Sequence, residues 1–148
     1  MRVAIDSSVL VGLLLPSDLW HHAGHALMRA VRSSGHTPIY LDCVAAESAS
    51  AVLRRLHEKR HASVGEALDS LARQVPLEDI TWVTPDLPVL YPQVVGLMRS
   101  SEGALNFNDA LIALSCRERG IPAIASFDAD FDQGPWLRRL ARPEDLPS

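Results

Sequence analysis

Two rhythms of apolar residues alternate along the chain. Compact blocks at Arg2 to Ile5, Thr37 to Leu41, Ile80 to Val83 and Ile121 to Phe127 are short, rich in β-branched residues and bounded by turn formers. They read as four strands. Between them apolar residues recur every three or four positions, which is the spacing of one helix face. This predicts a helix from Ser7 or Ser8 through Leu15, ended by Pro16, and a second from Asp18 to about Arg32. Asp42 is placed to cap a long helix to about Lys59, and Gly65 to Gln74 forms another. Pro85 to Met98 is a helix with prolines in its first turn and Pro92 as a kink. Asn108 to Arg119 is the best-defined helix, capped by Asn106 or Asn108 and closed by Gly120. Beyond Gly134, Trp136, Leu137 and Leu140 suggest a last short helix. Strands alternating with helices, without repeats or a visible boundary, predict one α/β domain over residues 1–148. Its expected form is an α/β/α sandwich on a mostly parallel sheet of four to five strands.

Composition adds limits. With 148 residues and 47% hydrophobic content, the chain can bury a sizeable core. Its longest apolar run, Val9 to Leu15, is far below the roughly 18 residues of a membrane span, and Asp6 interrupts the only N-terminal stretch resembling a leader. A cytoplasmic protein with no membrane partner is expected. Cys43 and Cys116 stand alone, without the spacing of a disulfide framework or zinc site, and read as core residues.

The net charge of -4 argues against a protein that holds nucleic acid by bulk positive charge. It does not exclude one that cuts it, because cations bound among acids cancel those charges locally. The basic residues are 13 Arg and a single Lys. Arg54, Arg55, Lys59 and Arg60 with His57 and His61 make one basic group, and Arg138, Arg139 and Arg142 another; the bland reading of both is a solvated face.

The acids carry more information. Asp128, Asp130 and Asp132 crowd the end of the last strand, where like charges repel unless a cation sits among them. Asp6 follows the first strand and Asp109 opens the best helix, so a parallel sheet would bring both to the same edge. Each has a bland role: Asp6 as a helix cap, Asp109 as a complement to the helix dipole. Glu47 lies roughly 120° from Leu53 around its helix, away from the apolar stripe and among small alanines. A surface Glu is its plain alternative. His21 and His25 have the spacing of a metal-binding pair but lack the intervening Glu of a metalloprotease, which favours a polar helix face.

Four stretches, IDSSVLVGLL (5–14), AAESASAVLRRL (45–56), NDALIAL (108–114) and ASFDADF (125–131), carry these acids in order. Together they resemble the PIN-domain nucleases, most closely the VapC-type toxins of bacterial toxin-antitoxin pairs. Two positions depart from the usual pattern: Asn106, where relatives often have Ser or Thr, and Ser126, where Thr is commoner. The resemblance implies a PIN-like fold and a metal-dependent endoribonuclease whose catalytic acids Asp6, Glu47, Asp109 and Asp128 hold one or two Mg²⁺ or Mn²⁺ ions. Glu47 would bind directly or through water, or orient the attacking water. Asp130 is a weaker metal candidate and Asp132 weaker still, while Ser8 and Ser126 would hold the carboxylates in place. It also implies an RNA substrate, a small antitoxin as partner and a homodimer.

Other classes fit less well. A phosphoacceptor receiver needs a late Lys, and the only one here is Lys59; a haloacid dehalogenase needs Asp-x-Asp after the first strand, where this chain has Asp6-Ser7-Ser8. A PIN-like RNA- or protein-binding module without catalysis, its acids kept only as caps, is the remaining alternative.

Overall fold

The first strand, β1 (Arg2–Ile5), is buried from Val3 onward, and its residues are apolar on both faces. Such a strand belongs in the middle of a parallel sheet, where helices cover both sides. The computed structural model, which describes residues 1–58, 64–134 and 136–147, places it there. The sheet order is β3-β2-β1-β4-β5 and every pairing is parallel. The other strands are β2 (Thr37–Leu41), β3 (Ile80–Thr81), β4 (Ala123–Ala125) and β5 (Arg138–Leu140).

The order reverses between β1 and β4: from β1 the chain moves outward to β2 and β3, then returns to the far side for β4 and β5. Right-handed crossovers on either side of a reversal lie on opposite faces and leave a crevice at the carboxyl ends of the strands. On one side α1 (Ser7–Leu14), α2 (His21–Ser33) and α3 (Asp42–Glu58) pack together, with α4 (Val64–Gln74) beside α3. Helices α5 (Leu87–Ser100) and α6 (Phe107–Glu118) form the other pair. Ile5, Leu10, Leu27, Leu41, Ile112 and Ile124 are fully enclosed between them.

Gly12 lets α1 and the start of α2 approach: a Cβ there would come within 3.0 Å of the Trp20 carbonyl. Gly120 stands at φ 58 after α6, and Ile121 N–H donates to the Cys116 carbonyl at 2.8 Å, closing the helix in the left-handed turn that glycine favours.

Several boundaries differ from the expectations. The segment holding Trp136, Leu137 and Leu140 is not helical; residues 138–140 form β5, paired in register with Ala123, Ile124 and Ala125. The sheet edge decides here, because β4 offers open backbone groups that local periodicity does not reveal. β4 is shorter than Ile121 to Phe127, since Ile121 is spent on the helix stop and the chain turns at Ser126. Asp18 does not start α2; its carboxylate accepts from Trp20 N–H at 2.8 Å in a local turn, and the helix begins three residues later. Asp42 lies within the first turn of α3, and its carboxylate reaches across to the N–H groups of Val83 (2.9 Å) and Thr84 (3.1 Å). Burial pushes this carboxyl up, but the hydrogen bonds from Thr84 and Val83 outweigh it and hold it below its ordinary value. Thr84–Asp86 is a 3-10 turn before α5, which accommodates Pro92 internally. Among the described residues, no helix is long and apolar enough to cross a membrane.

Candidate active site

Register alone brings the first two site segments together. Ile5 pairs with Ala125, so the next residues, Asp6 and Ser126, leave adjacent strands side by side at the crevice. Asp6 N–H donates to the Ala125 carbonyl at 3.0 Å. The Asp6 side chain caps α1, and of the two serines expected to do so Ser8 donates to Asp6 itself and Ser7 to Glu47. Its Oδ2 accepts from Ser8 N–H (3.3 Å), the Ser8 hydroxyl (2.6 Å) and the fully buried Ser126 hydroxyl (2.8 Å). These bonds all fall on Oδ2 and leave Oδ1 free of them. A carboxylate so held keeps its orientation without a counter-ion.

The same two hydroxyls organise the turn after β4. Ser8 Oγ accepts from Phe127 N–H at 3.1 Å, and Ser126 Oγ accepts from Asp128 N–H at 3.0 Å. Asp128 is therefore fixed relative to Asp6 through one serine. It is exposed, and its Oδ1 accepts from Asp130 N–H at 2.9 Å, capping the 3-10 turn Ala129–Gln133. Asp130 is exposed beside it. Asp132 is occupied elsewhere: Arg139 grips it through two bonds of 2.9 and 2.8 Å, which hold its carboxyl below the ordinary value.

Asp109 reaches the edge from α6. Asn106, not Asn108, is the cap: its side chain accepts from Asp109 N–H (3.1 Å) while Asp109 Oδ2 accepts from Asn106 N–H (3.2 Å). Asp109 is only 7% exposed. Burial, with the charges of Asp6, Asp128 and Glu47, raises its pKa to about 6 against the pull of the Asn106 backbone bond. Asn108, the next residue back, donates its side-chain amide to Glu47 Oε2 at 3.4 Å. Glu47 is half-buried and not a plain surface residue; burial first and Asp6 second push its pKa up, opposed by Asn108, Ser7 and Arg54. The four acids thus come from four separate segments, and the charges of Asp6, Glu47 and Asp128 all bear on Asp109.

Around this edge lie groups with no local signature in sequence. The Trp20 and Phe127 rings stack 4.5 Å apart and 12° from parallel, although they are far apart in the chain. A cavity of about 260 Å³ is lined by Trp20, Ser7, Glu47, Arg54 and Arg55. Arg55 pairs with Asp18, and the exposed Arg54 makes no salt bridge among the described residues. Lys59, Arg60 and His61 of this basic group lie outside the described residues. The second basic group is largely committed, Arg139 to Asp132, Arg142 to Asp145 at 3.5 Å, and Arg138 to the Asp145 carbonyl. His21 and His25 meet edge to face at 4.6 Å, and His21 Nδ1 donates to the Gly12 carbonyl at 2.8 Å, so this pair serves helix packing. Cys43 and Cys116 are free thiols, each pushed up to about 12 by burial.

Oxygen donors of this kind suit hard divalent cations, and a cation would offset the burial and the neighbouring charges that raise Asp109. Among the described residues, no three acid, His or Cys side chains are gathered tightly enough to hold an ion alone.

A sequence profile of the PIN domain family matches residues 3–137. Among solved structures, the fold is similar to that of VapC20 from Mycobacterium tuberculosis, a toxin that cleaves the sarcin-ricin loop. The TM-score is 0.69 at 22% sequence identity, covering 90% of this chain and 95% of that one. No curated protein matches the chain by sequence.

Proposed function

The chain belongs to the PIN domain family, and on that premise we propose that it is a metal-dependent endoribonuclease hydrolysing RNA phosphodiester bonds, the toxin of a toxin-antitoxin pair. The observation that carries this is the convergence of Asp6, Glu47, Asp109 and Asp128 on the switch-point edge, with Asp109 raised to about 6 by burial and its neighbours. Ligand sites of open parallel sheets lie at such edges.

Asp6, Asp109 and Asp128 would hold one or two Mg²⁺ or Mn²⁺ ions, with Glu47 as a ligand, directly or through water, or as the group that orients the attacking water. Asp130 is a weaker ligand, and Asp132 is disfavoured by its bond to Arg139. When bound, the ion supplies an activated water for in-line attack on phosphorus and stabilises the leaving 3′ oxygen. The protein's own part is positional. Ser8 and Ser126 fix Oδ2 of Asp6, Ser126 sets the backbone of Asp128, and Asn106 anchors Asp109. Asn108 aims Glu47 at the same edge.

A second reading has its own support, because Asp6 and Asp128 each cap a helix or turn and Asp109 completes the capping box of α6, so all three have a structural use. A catalytically inactive binding module would need no more. Against it stands Glu47, which caps nothing and is held toward Asp6 at a cost in repulsion. A cytoplasmic homodimer covered at the acid edge by a small antitoxin completes the proposal.

The test is cleavage of a mixed RNA pool by purified protein in EDTA, Mg²⁺ or Mn²⁺, beside Asp109→Asn and Asp6→Asn. Cutting restored by metal and lost in both variants is expected. Equal cutting by Asp109→Asn and the parent would sink the metal-site reading.

A further inference from the structure

The stacked aromatic pair lies outside the work of holding carboxylates, yet it is tied to that work. Phe127 sits between Ser126 and Asp128, and its N–H donates to the Ser8 hydroxyl that also bonds Asp6. Its ring is therefore positioned by the acid edge itself. Trp20 stacks on it at 4.5 Å and remains 41% exposed. Core burial is not its full use, since about two fifths of this large aromatic is left facing solvent. Trp20 also lines the 260 Å³ cavity that Glu47 and the exposed Arg54 line as well. Aromatic faces beside a cation and next to a phosphodiester-cutting edge are what an unstacked nucleotide requires. Bases stack on aromatic rings whatever their sequence, and Arg clamps the adjoining phosphate.

We propose that Trp20, braced by Phe127, is a stacking platform for one unpaired base of a single-stranded RNA, with Arg54 holding a phosphate next to it. The proposal rests on the nuclease reading, which supplies the substrate class. It adds that the RNA is unpaired at the platform, because a base within a duplex has no free face to offer. Asp18 contributes by turning the backbone at Trp20 and by tethering Arg55, so that Arg54 is the arginine left for phosphate.

The experiment measures affinity for a fluorescein-labelled single-stranded RNA of about 12 nucleotides in Mg²⁺, using Asp109→Asn protein so that the strand survives. Adding Trp20→Ala should weaken binding between about fivefold and a hundredfold, the loss of one stacked base. Trp20→Phe, which keeps a ring on Phe127, should recover most of it. An abasic nucleotide at one position of the RNA should reproduce the loss, and cost nothing further once Trp20 is Ala. Arg54→Ala should weaken all RNAs alike and lower the slope of log affinity against log salt by about 0.7. Unchanged affinity in Trp20→Ala, or abasic losses that simply add to the substitution, would overturn the platform. If parent protein cuts RNA with metal while Trp20→Ala binds and cuts as the parent does, only the platform fails. A parent that neither cuts nor binds RNA removes the nuclease reading and the platform with it.

Discussion

Asp109→Asn should make the metal-free protein more stable. In the fold Asp109 holds its proton up to about 6, against an ordinary value of 3.8. Between these values the folded state binds more protons than the unfolded chain. The contribution of this group is therefore fully present below pH 3.8 and is lost as pH rises through about 6. At 1.36 kcal/mol per unit, ionised Asp109 costs the fold about 3 kcal/mol at pH 8. Asparagine has the shape of the neutral acid and still offers an oxygen to Asn106 N–H, so it avoids the cost without losing the cap. For a chain of this size the gain corresponds to roughly 6 to 12 °C in Tm. The assay is thermal unfolding followed by circular dichroism in EDTA at pH 8 and again at pH 3.5. A large gain at the higher pH and little at the lower is expected, and Mg²⁺ should raise the Tm of the parent more than that of the variant. Equal or lower Tm for the variant at pH 8, or the same gain at both pH values, would refute the reasoning.

Three further outcomes are expected. Ser126→Ala removes the buried hydroxyl that serves both Asp6 and Asp128, and should cost about 2 kcal/mol in urea unfolding and roughly tenfold or more in calorimetric Mg²⁺ affinity; unchanged metal affinity would show the acids are held without it. Asp42→Ala leaves the Val83 and Thr84 N–H groups without their acceptor, a loss of about 2 to 3 kcal/mol near neutrality. Because the carboxyl is held below its ordinary 3.8, its stabilisation is present above that pH and disappears as pH falls through the lower folded value, so the parent-variant gap should close in acid. His21→Ala combined with His25→Ala should leave metal-dependent cleavage as in the parent, and a large fall in rate would make the pair part of the site.

Sequence made the acids legible because each sits where backbone direction changes. Asp6 ends an apolar strand and Asp109 opens a periodic helix, so parallel pairing alone sends both to one edge. Glu47 could be placed only as facing away from the apolar stripe; that this direction is toward Asp6 depends on how α3 lies against the sheet. β5 was hidden for a related reason, since Arg138 and Arg139 look nothing like a strand until β4 is beside them. The rivalry between Asn106 and Asn108 as caps was also open, and three-dimensional neighbours settled it: Asn108 is drawn to Glu47. Asp132 stood in line with two other aspartates, yet Arg139 on the neighbouring strand claims it. No spacing rule joins Trp20 to Phe127, whose meeting is a product of the completed fold.

The central place of β1 also imposes an order in time. β1 leaves the ribosome long before its β4 neighbour at residues 123–125, and Asp6 waits for the hydroxyl of Ser126. Contacts so distant in sequence form slowly, and only after residues 123–126 have been made. A nascent chain thus carries the acids long before it carries the edge they build. Whatever chemistry that edge performs is withheld until β4 has been made and has paired with β1.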